Sequence, residues 1–426
     1  MMRYIIYFLI LRITVVFSAD SVYVHLPDSV YTTTDSELSI FYTNLIRDRF
    51  ENKEQISFNC SVGYPDSMKY NLDSLSTGIY DLTIQIRDSN GVYLEEAGTK
   101  IVVTENSTVH LDTLKILMIG DSFTYSGVYP KYIKDLYESS TNYPVKLLGT
   151  NYNSGSPFYG IDNDIFHEGY SGKSWFWFVA YEESPFVYDG QVDFQKYIDD
   201  FLYGEIPDIV TIFLGINDIG SGDPSSIETI DERIEIIFER MMLLINPLTE
   251  TLPDASIGIV LTPPTNEREE TYTNPDLPDY WERKLMHHRL SQRYVDHFND
   301  LGNANISVIP ANVSIDTYNG YGSSDSIHPN IYGYNQIGNS IYSWIKCRIS
   351  KWLTVPKGLE LVNEGNYTTI TWNPSTGATS YRIYRSVDPY SGFVEIGTSS
   401  VPEFTDNDIS GSDKYFYKVT AVDGTE

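Results

Sequence analysis

Cysteine is nearly absent: only Cys60 and Cys347 occur in 426 residues. They fall in different expected units, so two unpaired thiols are the reading and a bridge the alternative; disulfides do not staple this chain. Cationic residues are also scarce. Lys and Arg number 29 against 58 Asp and Glu, for a net charge of −29. So acidic a surface repels phosphate, which argues against nucleic acid and anionic membrane surfaces as partners. Beyond the N-terminus no apolar run is long enough to span a bilayer, so no stable membrane insertion is expected. No His/Cys/Asp/Glu spacing converges as metal ligands must, so neither metal nor cofactor is expected. Solenoid repeats and low-complexity tracts are missing too.

What is abundant is aromatic and apolar: 35 Tyr, 14% aromatic and 41% hydrophobic residues. That suffices for packed cores and excludes a disordered chain. The length predicts roughly two to four domains. Residues 1–19 read as a secretory signal peptide, which places the protein outside the cell or in a periplasm. Arg3 supplies the charge, Tyr4 to Leu11 the apolar stretch, and Val16-Phe17-Ser18-Ala19 a cleavage site, although Arg12 interrupts the run. Glycosylation sequons occur at Asn106 and Asn366.

Three textures follow. Residues 20–112 alternate as short strands: Leu38/Ile40/Tyr42, Ile56/Phe58/Cys60 and Tyr80/Leu82/Ile84/Ile86, then an Asn90-Gly91 turn and a return over Ile101 to Val103. This predicts an immunoglobulin-like sandwich. Residues 113–352 alternate strand and helix, predicting a doubly wound parallel α/β sheet with right-handed crossovers. Expected strands are Ile116–Ile119, Val145–Leu148, Ile209–Leu214, Ile257–Leu261 and Ile306–Ile309. Expected helices place Ile227, Ile230, Ile234, Ile237, Met241 and Ile245 on one stripe ended before Pro247, and Trp281, Leu285, Val295 and Phe298 on another. A last helix from near Pro329 turns Ile337, Ile341, Trp344 and Ile345 inward. Residues 353–426 are all-β again. The architecture expected is thus a central α/β unit flanked by two all-β sandwiches.

The chemistry gathers at the strand ends. Gly120-Asp121-Ser122 closes the first strand of the α/β segment just ahead of a helix, where open α/β sheets bind ligands. A serine there is a nucleophile only with a base and oxyanion donors nearby. His328, in Asp325-Ser326-Ile327-His328-Pro329, is the candidate base, and Asp325 can fold back to fix its tautomer. Asn217 in Gly215-Ile216-Asn217-Asp218 can aim an amide N–H at the site, and Gly172 can present a bare backbone N–H. His167 and Trp175 are candidate substrate contacts, the first in the acyl pocket and the second under a sugar ring. For His167 a surface-loop place stands beside that role.

At these residues the chain resembles the GDSL/SGNH hydrolase family. That family carries Ser, Gly, Asn and His in four ordered blocks, matched here by Gly120-Asp121-Ser122, Ser171-Gly172, Gly215-Ile216-Asn217-Asp218 and Asp325-Ser326-Ile327-His328. Phe123 stands where the name-giving block has Leu. The resemblance covers about Leu114 to Lys351 and implies a flavodoxin-like sheet. It also implies Ser122 as nucleophile, His328 as base with Asp325 behind it, and an oxyanion hole of Ser122 N–H, Gly172 N–H and Asn217. The flanking context resembles secreted bacterial carbohydrate O-acetylesterases. The C-terminal segment resembles a fibronectin type III domain through Ile370-Thr371-Trp372, Tyr381-Arg382-Ile383-Tyr384 and Tyr415 to Val422; its last strand would begin where the sequence stops at Glu426.

Three functions follow as expectations. The first is a secreted serine esterase acting on acylated carbohydrate. The second is a lipid or lysophospholipid esterase of the same family, for which no amphipathic lipid-binding helix is present. The third is a carbohydrate-binding or adhesive protein with an idle hydrolase core.

Overall fold

The computed structural model describes residues 24–47, 55–88, 90–106, 113–140, 144–152, 164–274, 276–350, 356–375, 377–409 and 414–422. The expected signal peptide lies outside them.

Among the described residues the α/β segment has a seven-stranded sheet, in which a two-residue strand, Asn151–Tyr152, pairs antiparallel at the edge with the third of six longer strands: β1 (Leu114–Gly120), β2 (Val145–Leu148), β3 (Phe166–Gly169), β4 (Ile209–Phe213), β5 (Ser256–Val260) and β6 (Ile306–Ile309). They lie in the order β3-β1-β4-β5-β6, every neighbouring pair parallel. Strand β2 pairs with the first half of β1, on the edge whose second half takes β3. Strands buried on both faces need no alternation, so β1, β4 and β5 read as continuous apolar runs. Their side chains divide between two cores. Leu117, Ile119, Val210, Ile212, Ile257 and Ile259 pack on one side, and Ile116, Met118, Ile209, Phe213 and Val260 on the other.

Among the described residues nine α-helices flank the sheet: α1 (Ser122–Tyr125), α2 (Val128–Ser140), α3 (Trp175–Ala180), α4 (Phe194–Phe201), α5 (Ile216–Ile219), α6 (Ile227–Thr251), α7 (Tyr280–Leu301), α8 (Ala311–Ser314) and α9 (Ile331–Ile349). Helices α3, α4, α6 and α7 close the first core; α2 and α9 close the second.

Three expectations are corrected. Helix α6 does not stop before Pro247 but runs to Thr251. The proline removes an N–H that would have met the carbonyl of Leu243, a residue 59% exposed to water, while Leu244, Ile245, Leu248 and Leu252 continue the buried stripe. In α7 the inner face is carried by Met286, Leu290, Tyr294, Val295 and Phe298, with Trp281 and Leu285 only half-buried. Strand β3 was not foreseen, because His167 and Glu168 sit in it fully buried. Glu168 is accommodated by the Thr150 N–H and hydroxyl and by the hydroxyls of Tyr170 and Tyr197.

The N-terminal segment forms a four-stranded and a three-stranded sheet sharing one core of Val30, Ile40, Leu72, Ile84 and Ile101. It docks on the α/β segment. Asn44 Nδ2 donates to the carbonyls of Asn312 and Ile315, Asn339 Nδ2 to that of Glu37, and the fully buried Lys346 Nζ to that of Asn106 at 2.8 Å. The Asn106 sequon side chain is itself buried against Tyr342. The C-terminal segment has two three-stranded antiparallel sheets over Ile370, Trp372, Tyr381, Ile383 and Val419. One of its strands, Glu403–Asp406, was not anticipated. Both cysteines are free thiols.

Candidate active site

Strand order reverses between β1 and β4, and the crevice outside their carboxyl ends is where such sheets take ligands. Strand β1 ends at Gly120. A Cβ there would stand 2.1 Å from Thr124 Oγ1 and 2.9 Å from the Phe213 carbonyl, so only glycine lets the chain turn tightly enough. Asp121 then caps α1, accepting the Phe123 N–H at 3.0 Å, and Ser122 becomes its first residue.

Ser122 Oγ lies 2.9 Å from His328 Nε2, and His328 Nδ1 lies 3.0 Å from Asp325 Oδ2. The other oxygen of Asp325 accepts the backbone N–H groups of Ile327 and His328, closing the loop on itself. Hydrogen bonding to Asp325 raises the imidazole above its ordinary 6.5, against the pull of partial burial. Burial pushes the Asp325 carboxyl up, but the bonds from His328 and the two N–H groups outweigh it and hold it at about 2. The pair therefore combines an ionised carboxylate with a strengthened base.

Asn217 opens the other side. Gly215, at φ +125°, turns the chain out of β4 into α5. Asn217 Nδ2 donates to Asp121 Oδ2 at 3.2 Å and to the Lys173 carbonyl at 3.0 Å. One amide thus ties the residue before Ser122 to the residue after Gly172. Gly172 is exposed, at φ +72°, in the turn that follows β3. Burial raises the Asp121 carboxyl to about 7 and that of Asp218 to about 6; Asp218 accepts the Trp175 N–H.

Two expected substrate contacts are corrected. His167 is fully buried, its Nδ1 accepting the Gly169 N–H, and burial holds its ring near 4. Trp175 is also fully buried and donates its indole N–H to Tyr294. Neither ring reaches the crevice. The helical stripe of His287, His288 and His297 carries no cluster, and no group of three ligating side chains able to hold a metal occurs among the described residues.

Two residues were missed. Asn266, fully buried after β5, donates Nδ2 to the carbonyls of Gly322 and Asp325 and its backbone N–H to that of Ser326. It grips the loop carrying Asp325 and His328. Its signal was positional: it follows a strand whose end lies on the same edge as the other blocks. Tyr125 stands one helical turn after Ser122 and is 48% exposed. Side chains at this spacing share a helix face, which puts Tyr125 on the same side of α1 as Ser122.

Solved structures resemble parts of the chain. They include a lipase/acylhydrolase from Enterococcus faecalis (19% identity over 55% of this chain and 96% of that one, TM-score 0.32). A carbohydrate acetylesterase from Sinorhizobium meliloti matches at 14% identity (55% and 99% covered, TM-score 0.30). A fibronectin type III-like protein from Clostridium thermocellum matches at 31% identity (17% and 80% covered, TM-score 0.17). No curated protein matches the chain. The model of the GDSL-like lipase/acylhydrolase family matches residues 118–336, just over half of the 426 residues and every block from β1 to His328. The chain therefore belongs to the GDSL-like lipase/acylhydrolase family.

Proposed function

We propose that the protein hydrolyses acetyl or other short acyl esters of carbohydrate through a Ser122-His328-Asp325 relay, acting outside the cell. The observation that carries the chemistry is the unbroken line of contacts from Ser122 Oγ through His328 to Asp325, at 2.9 and 3.0 Å. His328 Nε2 takes the Oγ proton as the oxygen attacks the acyl carbon. Asp325 holds the ring in the tautomer with the proton on Nδ1 and stabilises the imidazolium that results. The ring then returns its proton to the departing alcohol. Water, deprotonated by the same nitrogen, frees the acid from Ser122.

The oxyanion would be met by the N–H groups of Ser122 and Gly172 and by Asn217. Asn217 has both its N–H bonds engaged, so serving the oxyanion means turning one away from Asp121, the longer contact. The exchange trades a carboxyl acceptor for the oxyanion and keeps the Lys173 tie.

Openness favours a bulky alcohol over a lipid tail. The side chains of His328 and Asp325 are 42% and 48% exposed, so a polymer can lie across the pair. The net charge of −29 disfavours an anionic lipid surface. Acetate release from acetylated xylan and mannan, beside hydrolysis of p-nitrophenyl esters of two to twelve carbons, tests the reading. Acetate release lost in Ser122→Ala supports it. Preference for long acyl chains with no glycan turnover would overturn the substrate class.

A further inference from the structure

We propose that Glu168 is a positioning residue for the oxyanion hole: through Tyr170 it fixes the turn that presents the Gly172 N–H. The inference rests on the serine-esterase reading above.

The register of the sheet shows that packing does not call for a carboxylate at this place. Glu168 stands level with Ile119 of β1, and the same rung continues through Ile212 of β4, Ile259 of β5 and Val308 of β6. An aliphatic side chain would continue it. Glu168 is instead fully buried, and no cation pairs with it among the described residues. Burial pushes its carboxyl up, and hydrogen bonding alone counters that. The donors are the Thr150 N–H at 2.6 Å, the Thr150 hydroxyl at 3.0 Å, and the hydroxyls of Tyr170 and Tyr197, each at 2.8 Å. A carboxylate taken this far from water is stable only with its partners in place, so it holds them in turn.

One of those partners is the first residue of the oxyanion turn. The Lys173 N–H closes the turn on the Tyr170 carbonyl at 3.2 Å, with Gly172 in the third place at φ +72°. The Tyr170 N–H donates to the Gly120 carbonyl at 2.9 Å, two residues before Ser122. The Lys173 carbonyl takes the Asn217 amide at 3.0 Å. Packing does not hold Gly172 itself, since a Cβ there would meet no atom within 4 Å among the described residues. Its N–H is therefore placed from the two ends of the turn. At the Tyr170 end the side chain is fixed by Glu168 and by the rings of Trp177 and Phe178, centred 4.9 and 5.9 Å away. Tyr197 bonds the same carboxylate from α4, among the rings of Phe186 and Phe194, and shares no hydrogen bond with the turn among the described residues.

The test sets Tyr170→Phe against Tyr197→Phe in the full-length protein. Each takes one phenol hydroxyl from Glu168, and only the first acts on the turn. Tyr170→Phe and Glu168→Gln should each lower kcat for p-nitrophenyl acetate about 10- to 100-fold with KM held, because a displaced oxyanion donor weakens the transition state alone. Tyr197→Phe should lower the thermal midpoint, as a lost buried hydrogen bond does, and keep kcat within about twofold. A second readout needs no turnover: the Gly172 amide resonance in protein labelled with nitrogen-15 glycine, assigned by its loss in Gly172→Ala. It should move in Glu168→Gln and stay in Tyr197→Phe. Equal losses of kcat in the two Tyr variants, an intact kcat in Tyr170→Phe, or a Gly172 resonance unmoved in Glu168→Gln overturns the positioning role. Wild-type protein that hydrolyses no ester would instead sink the esterase reading, and the resonance would still decide whether Glu168 sets the turn.

Discussion

The proposed nucleophile and the proposed base are held in opposite ways. Around Ser122 the chain is packed: Asp121, Phe123 and Thr124 are fully buried, and Gly120 fits only as glycine. Around His328 the chain is open, with both members of the pair nearly half exposed. What fixes that loop is hydrogen bonding. Asn266 grips the Gly322 and Asp325 carbonyls, Tyr272 the Ser326 carbonyl, and Asn330 the carbonyls of Asn319 and Tyr321. Close packing tolerates almost no displacement, whereas a loop held by hydrogen bonds can lose one and keep its path. Ser122 thus sits at a fixed reference point, and His328 on the adjustable part.

Removing either reacting group should have the largest effect and not distinguish the two sides. Ser122→Ala and His328→Ala should each lower kcat by about 10⁴-fold or more, with an unchanged thermal midpoint. Near-normal turnover in Ser122→Ala would end the mechanism. Asp325→Asn sharpens the comparison on the base side. The imidazole works as a base only when neutral, and it is held above 6.5 chiefly by its bond to Asp325, so the rate should climb with pH through that raised value. In Asp325→Asn the acid limb of the pH–rate profile should move to lower pH, while the plateau falls by roughly 10²- to 10⁴-fold. An acid limb that stays put would separate Asp325 from the ring.

On the packed side, Asn217→Ala should cost about 100- to 1000-fold in kcat with little change in KM, because the charge it meets exists only after attack. Steady-state kinetics beside a melting curve decide this: a lowered midpoint with kcat intact would make Asn217 a tie between loops and nothing more. The smallest loss is expected from Asn266→Ala. Two part-buried carbonyls lose their donor, so stability should fall by about 1 kcal/mol. The base should wander enough to cost roughly 10- to 100-fold in kcat, since small misplacements at a reacting centre are expensive. If kcat holds while stability falls, the base loop is set by Tyr272 and Asn330 instead.

The sequence carried the candidate reacting groups and lost the residues that hold them. Ser122, His328, Asp325, Gly172 and Asn217 stood out because each follows a strand or opens a helix, and residue type and position spoke together. Strands β1, β4, β5 and β6 were legible as apolar runs. Strand β3 was not, because Phe166-His167-Glu168-Gly169 has the composition of a loop and its buried carboxylate is met by Thr150 and Tyr197, 18 and 29 residues away. The same remoteness hid Asn266, whose partners lie 56 and 59 residues away. His167 and Trp175 misled for the converse reason. Proximity in sequence to Gly172 suggested the crevice, but a strand alternates its faces and a helix turns, so neighbours of a site residue are as readily sent into the core.

Lys346 carries a consequence for how the molecule is made. Its ammonium, on the last helix of the catalytic segment, is fully buried and finds its acceptor in the carbonyl of Asn106, 240 residues earlier. A chain emerging from the ribosome presents the first β segment long before α9 exists. That segment must wait with its docking face uncovered while the nucleophile, the oxyanion loops and the base appear in turn. Only when residue 346 arrives can the first β segment close on the last helix of the α/β half. Activity in a nascent chain should therefore switch on late and abruptly, with the translation of α9, rather than grow as each block is added.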